Sequence, residues 1–434
     1  MNKRILQLAI PFIIGNITVP LLGTVDTALM GHFGKTSDLG AIGLASSIFN
    51  FLYWNFAFIK MSTVGLTAQE FGRKDQHKIS NLLAQSMFLS FVGAFILILF
   101  KNPLLKLCLL VMEGDITVES LVADYYKIRI YAAPATIGIY TLTGWFIGMQ
   151  NAKAPMFLSI LVNILNLGFN FLFVVKFNMK SEGVAWGTLL AQYGGFIAGI
   201  LILFSKYRKY LRLISLRKVI DWDSLSRFLN VNKDIFIRTF FVIFVLTFYN
   251  FISTKEGGVI LGVNVIFLQL VFAFSFFLDG FANAAEALVG RFVGEKDVLK
   301  LKLVIKYLFY WGIIIALIFT LAYLLGNKWI LRVYTSKSEI LEAADSFIIW
   351  IILLPAFSFV AFIWDGIYLG ATSVKVYRNS TLVAALLFFT VYYCLYNGIG
   401  NHSLLLAQLI FFGARGIIQT IFYKKAIITK ITNQ

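Results

Sequence analysis

Twelve apolar runs, each long enough to cross a bilayer as a helix, dominate this chain. A spanning helix needs roughly 20 apolar residues. The runs fall at about 10–33, 39–68, 80–100, 123–148, 156–177, 184–205, 233–254, 259–288, 302–325, 341–370, 379–398 and 402–423. Hydrocarbon offers backbone groups no water to bond, so a run of this length satisfies its N–H and C=O groups internally, as a helix. The predicted fold class is therefore an all-α polytopic membrane protein. Composition agrees: 59% of the 434 residues are hydrophobic and 14% charged, more apolar surface than a soluble domain can hide. The 44 Phe suit lipid-facing positions, and the 19 Tyr and 8 Trp suit the interfaces.

The formal charge of +17 would suggest nucleic acid in a soluble protein. Here the basic residues gather in short segments between apolar runs, which reads as cytoplasmic loops and no nucleic-acid partner. Placing the N-terminus in the cytoplasm puts most of the 38 Lys and Arg on that side, so both termini are expected inside a cell (inner or plasma) membrane. The richest basic segment runs from Lys206 to Asn232, with Leu211, Leu213, Ile214 and Leu216 interleaved. It reads as an amphipathic linker on the membrane surface. The expected organisation is thus an N-terminal six-helix bundle (1–205), a cytoplasmic linker (206–232) and a C-terminal six-helix bundle (233–434). The opening run has no small-residue cleavage site, so no cleaved signal is expected.

A weak repeat supports two equivalent halves. At one offset of 222 residues, Leu39-Gly40 matches Leu261-Gly262, and Phe71-Gly72-Arg73-Lys74-Asp75 matches Val293-Gly294-Glu295-Lys296-Asp297. At the same offset Gly144 and Gly148 match Gly366 and Gly370. Six spans per half, an even number, give both halves one orientation, with a transport site expected between them.

Ionisable residues at membrane depth are the candidate functional groups, because a charge there costs at least roughly 2.5–3.5 kcal/mol and needs a partner or a wet cavity. Asp26 is the acid of the first span, flanked by Gly23 and Gly31, with Pro11 and Pro20 weakening the helix. Asn163, Asn166 and Asn170 in the fifth span share one helical face, and Thr188 lies in the sixth. With Asp26 they form either an oxygen-rich proton or cation site or interhelical hydrogen-bond glue. A second group comprises Asp279 and Glu286 in the eighth span, Asp365 in the tenth and Arg238 in the seventh. It reads as a functional acid cluster or a structural ion-pair network. Lys60 either meets a carboxylate or snorkels. Cys108 and Cys394 lack metal or redox spacing, and His32, His77 and His402 lack ligand spacing, so no metal or other cofactor is expected. There is no phosphate-cradling loop and no recognisable nucleophile, base or metal set, which argues against an enzyme and leaves an ion gradient to drive any uphill transport.

Several of these stretches resemble one family. Asn16-Ile17-Thr18-Val19-Pro20-Leu21-Leu22-Gly23-Thr24-Val25-Asp26-Thr27-Ala28 is similar to the opening helix of the multidrug and toxic compound extrusion family, in its DNA-damage-inducible F branch. Met61-Ser62-Thr63-Val64-Gly65-Leu66-Thr67-Ala68-Gln69 resembles that branch's second helix. Leu278-Asp279-Gly280-Phe281-Ala282, and Asp365-Gly366 with Gly370-Ala371-Thr372, resemble its eighth and tenth. The resemblance covers nearly the whole chain. It implies two six-helix bundles in a V-shaped, alternating-access exporter, with Asp26 as the protonation or cation site and Thr188 at the family's sixth-helix threonine. It departs where the family places an acid four residues after a fifth-helix Asn: here Asn166 is followed by Asn170, leaving Asp26 as the acid of that site. The expected function is a secondary exporter, acting as a monomer, that couples proton influx to efflux of amphipathic, often cationic, small molecules. Sodium coupling and a lipid-linked precursor flippase of the wider superfamily are the alternatives.

Overall fold

The computed structural model describes residues 1–33, 36–112, 116–219 and 221–432, without the side chains at 19–33, 36, 37, 39, 111, 112, 116, 117, 216, 223, 224, 227, 430 and 432. No strand occurs among the described residues. The expected first span lies in α1 (Asn2–Phe33), which stays helical through Pro11 and Pro20. Eleven further helical stretches among the described residues are long and apolar enough to cross a membrane: α2 (Gly40–Arg73), α3 (Gln76–Leu99), α4 (Val118–Gly148), α5 (Lys153–Lys176), α6 (Lys180–Lys206), α7 (Phe228–Lys255), α8 (Gly258–Glu295), α9 (Val298–Tyr334), α10 (Ser338–Gly370), α11 (Val374–Ile399) and α12 (Asn401–Ile428). Between α6 and α7 the basic segment forms two single turns, Arg208–Leu211 and Leu216–Val219, and helix resumes at Trp222, earlier than the apolar run suggests. Hydropathy marks where a helix enters hydrocarbon; the hydrogen-bonded helix itself begins in the polar segment before it.

The helices gather into two compact units, residues 14–229 and residues 1–13 with 230–434. The first unit packs a cluster built on Ile42, Phe49, Tyr125 and Tyr126, and another around Trp145, Phe146 and Tyr210. In the second unit Phe274, Leu278, Trp364 and Phe388 are buried, and the tyrosines Tyr368 and Tyr377 are closed off with them.

Each unit is built with the same local devices at the 222-residue offset. α2 ends at a left-handed Lys74 (φ 61°) and α8 at a left-handed Lys296 (φ 56°). Side-chain-bearing residues rarely take that conformation. The next residue caps the following helix in both cases. Asp75 Oδ1 accepts the Lys78 amide at 3.0 Å, and Asp297 Oδ1 accepts the Lys300 amide at 2.9 Å. Behind each cap the acid's own amide donates backward at 3.1 Å, to the Glu70 carbonyl and the Phe292 carbonyl respectively. The matched glycines serve close helix approach. A Cβ on Gly144 would stand 2.6 Å from the Lys60 carbonyl of α2, and one on Gly366 would strike the Ala282 carbonyl of α8. One turn on, Gly370 repeats the contact against the Glu286 carbonyl, and Gly148 meets the Thr67 side chain and, beyond it, the Val64 carbonyl. Both helices then leave through a left-handed residue, Gln150 (φ 62°) and Thr372 (φ 49°).

Both caps carry perturbed carboxyls. Partial burial pushes Asp75 up, but the Lys78 amide and ammonium outweigh it and hold the group below the usual carboxylate range. Asp297 is lowered by the Lys300 side chain and amide. A carboxyl depressed in the folded state contributes stability that is present above its unfolded value, about 3.9, and is lost as pH falls through the folded value. Asp75→Ala should cost about 1 kcal/mol, the usual loss on deleting a helix N-cap. Thermal unfolding in detergent should show this deficit at pH 7, and the gap to wild type should close as pH drops below 4.

Candidate functional site

The first unit brings three of the predicted residues into one buried chain. Asn166 and Asn170 stand one turn apart on α5, and Thr188 faces them from α6; all three are buried. Asn166 Nδ2 donates to Thr188 Oγ1 at 3.0 Å, and Asn170 Nδ2 donates to Asn166 Oδ1 at 2.9 Å. Such a chain fits tightly because Gly187 lies opposite: a Cβ there would collide with the Asn170 amide oxygen. Immediately after Asn170, α5 widens into a π-helical stretch, Phe171–Lys176, a distortion found often at functional positions. Asn163 has another task. Its Nδ2 donates to the Thr18 carbonyl at 2.8 Å, and Ser159 and Thr18 are joined at 3.2 Å, so this part of the polar face ties α5 to α1. The Asp26 side chain lies outside the described residues.

The second unit centres on Asp365. Its Oδ2 accepts from Arg238 Nη2 of α7 at 2.6 Å and from Arg415 Nη2 of α12. Its Oδ1 accepts from Gln419 Nε2 at 3.1 Å. The Arg238 guanidinium also lies over the Tyr377 ring of α11, 4.7 Å from its centroid, an arrangement that favours a desolvated cation. One carboxylate thus holds α7, α10 and α12 at a common depth. Asp279 is half-buried on α8 and close enough to Arg238 to attract it. Glu286, two turns further along α8, is buried, 4% exposed. Elsewhere in this unit Asn264 and Asn401 exchange both amide bonds, at 2.8 and 3.0 Å, a neutral tie between α8 and α12.

The sequence reading missed Arg415, Gln419 and Tyr377. Arg415 was findable: it interrupts Leu409-Ile410-Phe411-Phe412-Gly413-Ala414 and Gly416-Ile417-Ile418, the kind of setting that singled out Arg238. Gln419 follows one helical turn later, on the same face. Nothing distinguishes Tyr377 among the other tyrosines in sequence. Among the described residues no group of His, Cys, Asp and Glu has a geometry that would hold a metal ion.

A protein-family model described as MatE matches residues 11–172 and 235–394. The DNA damage-inducible protein F of Escherichia coli K12 is 33% identical over 420 residues, which cover 96% of this chain and 90% of that protein. Multidrug and toxin extrusion protein 1 of Danio rerio is 26% identical over 384 residues, 85% of this chain and 62% of that protein. A crystal structure of a MATE protein in a bent conformation shares 20% identity with a TM-score of 0.87, covering 100% of this chain and 96% of that one. The bent form of the Vibrio cholerae MATE transporter VcmN gives 15% and 0.86, over 99% and 97%. At these identities the structural likeness speaks for the fold.

The geometry around Asp365 predicts an asymmetric mutational response. Asp365→Asn leaves two buried guanidiniums without their carboxylate, and breaking a buried pair in this way costs about 3–5 kcal/mol. The variant should express poorly and unfold at lower temperature. Adding Arg238→Gln should restore part of the loss, because the two residues share one interaction and their effects do not add. Equal thermal midpoints for Asp365→Asn and wild type would contradict the reading.

Proposed function

We propose a function from one premise: this chain belongs to the MatE family. It is a multi-pass membrane protein of the multidrug and toxin extrusion transporters, handling small molecules. Within that class we read it as a secondary antiporter that couples inward proton flow to efflux of amphipathic, often cationic, organic compounds. It works as a monomer in a cell membrane with both termini in the cytoplasm, as the distribution of basic residues favours.

The observation that carries proton coupling is the chemistry of the Thr188–Asn166–Asn170 chain. Two amides and a hydroxyl give and accept hydrogen bonds without gaining or losing a proton near neutral pH. Asp26, on α1, is then the group of this proposed site that can carry the coupling proton. A free aspartate is ionised at neutral pH. At membrane depth its charge is costly, so it is stabilised either by neighbouring dipoles or by neutralisation. In this reading Asp26 is protonated from outside, and its charge no longer draws on the amides of α5 and the hydroxyl of α6. α1 then shifts about Pro20, which lacks an amide proton and so loosens the helix there. Release of the proton to the cytoplasm resets the site.

Sodium is the competing coupling ion, since carbonyl and hydroxyl oxygens with an ionised Asp26 would suit a hard cation. Proteoliposomes loaded with ethidium separate the two. Wild-type protein should drive efflux under a proton gradient without sodium and should not respond to a sodium gradient alone. Asp26→Asn should bind ethidium within about threefold of wild type and lose at least roughly tenfold of proton-driven efflux. Wild-type rates in the Asp26→Asn protein, under either gradient, would remove Asp26 from coupling.

A further inference from the structure

A second polar site lies at the opposite kind of location, where spans of the first unit end. A cavity of 590 Å³ opens between the end of α2, the start of α3 and the basic segment that follows α6. That size is typical of small-molecule pockets. Leu66, Leu82 and Phe228 supply apolar wall. Glu70 is the most buried charged group in the lining, 9% exposed. Its Oε1 accepts from Arg73 at 2.5 Å, while its Oε2 accepts no hydrogen bond. The Lys78 ammonium stands 4.0 Å from that oxygen, too far for a hydrogen bond. Lys78, Arg217 and Lys218 are exposed and bring positive charge to the lining. Asp75 is committed to its helix cap, and Asp221 adds an exposed acid.

The repeat shows that the turn does not need this acid. The second unit makes the same turn with Phe292 at the position of Glu70, fully buried and accepting the same backbone bond. His77, Asn81 and Gln85 likewise correspond there to Leu299, Leu303 and Tyr307. Two of these polar residues have a local purpose in the first unit. Asn81 Oδ1 accepts the Ser215 amide at 3.0 Å, and Gln85 Nε2 donates to the Lys218 carbonyl at 3.0 Å, so both clamp the basic segment onto α3. That clamp holds Arg217 and Lys218 over the cavity. Glu70 has no part in it, and its second oxygen is an acceptor with no hydrogen-bond donor among the described residues, open to a donor that enters the cavity.

We propose that this cavity binds a phosphoethanolamine group, its primary ammonium on Glu70 Oε2 and its phosphate among Lys78, Arg217 and Lys218. A buried carboxylate beneath exposed bases matches a zwitterion whose cation enters first. The match also discriminates. A primary ammonium has N–H donors for the orphan oxygen, whereas a quaternary choline has none. A glycerol headgroup presents no cation at all. The position at the ends of α2 and α3, beside a segment with leucines between its bases, sets the site where headgroups of a phospholipid lie.

Native mass spectrometry of the full-length protein, from vesicles with equal phosphatidylethanolamine, phosphatidylcholine and phosphatidylglycerol, tests the assignment. Wild-type protein should retain phosphatidylethanolamine at least fivefold over the other two. Glu70→Gln should abolish that preference. Arg217→Ala with Lys218→Ala, two exposed positions with no bearing on the core, should reduce retention of phosphatidylethanolamine at least threefold while thermal stability without lipid stays unchanged. Lys300→Ala, at the matching cap of the second unit, should change nothing. Thermal shifts with O-phosphoethanolamine in lipid-free detergent identify the source: stabilisation absent from Glu70→Gln assigns the site to a free ligand as well, and none assigns it to lipid. Equal retention of the three lipids by wild type, or an unchanged preference in Glu70→Gln, overturns the proposal.

Discussion

A buried carboxylate gripped by two buried guanidiniums is the interaction on which the second unit depends. Each of the three charges would be costly if buried alone. Together they partly cancel; Gln419 bonds the second carboxylate oxygen and the Tyr377 face lies against Arg238, while the Nε of both arginines and the Gln419 amide oxygen have no hydrogen-bond partner among the described residues. Because the partners come from α7, α10, α11 and α12, the cluster fixes how far each of those helices slides along the others. Apolar packing alone specifies such a position weakly in a membrane, where lipid tails are as apolar as leucine.

The first unit solves its polar problem differently. Its buried chain joins two amides and a hydroxyl on α5 and α6 through neutral hydrogen bonds. A neutral chain holds helices together at modest cost. In the second unit Asp365 is instead compensated by two guanidiniums. The two units thus join buried helices in different ways, one through neutral hydrogen bonds and one through paired charge.

Much of this organisation was legible in the sequence, and the reasons are local. Helical spans follow from hydropathy because hydrocarbon forbids other backbone solutions. The Lys-Asp pairs at 74–75 and 296–297 were legible as a repeat, and the left-handed exit and aspartate cap that the structure adds depend on neighbours within five residues. Arg238 and Asp365 were legible because ionisable groups in apolar runs are rare, and Arg415 stands out in the last span for the same physical reason. The bifurcation of the asparagine face was not legible. Helical periodicity places Asn163, Asn166 and Asn170 on one side of α5, but which of them meets Thr188 and which meets α1 depends on the crossing of three helices. Tyr377 was hidden for the same reason: its role is set by what α7 brings above its ring.

The glycine contacts have a mechanical consequence. Where α10 meets α8, backbone rests on backbone at two successive turns, and where α4 meets α2 only the short Thr63 and Thr67 side chains share the seam with backbone. Long side chains accommodate motion by changing rotamer, but a seam of backbone and short side chains has little to re-pack. Each pair is therefore expected to translate as a single beam, stiff along its length. Any bending within a unit has to be taken up at other seams, among helices whose contacts run through flexible side chains, and the glycine seams serve as the fixed members against which that bending is levered.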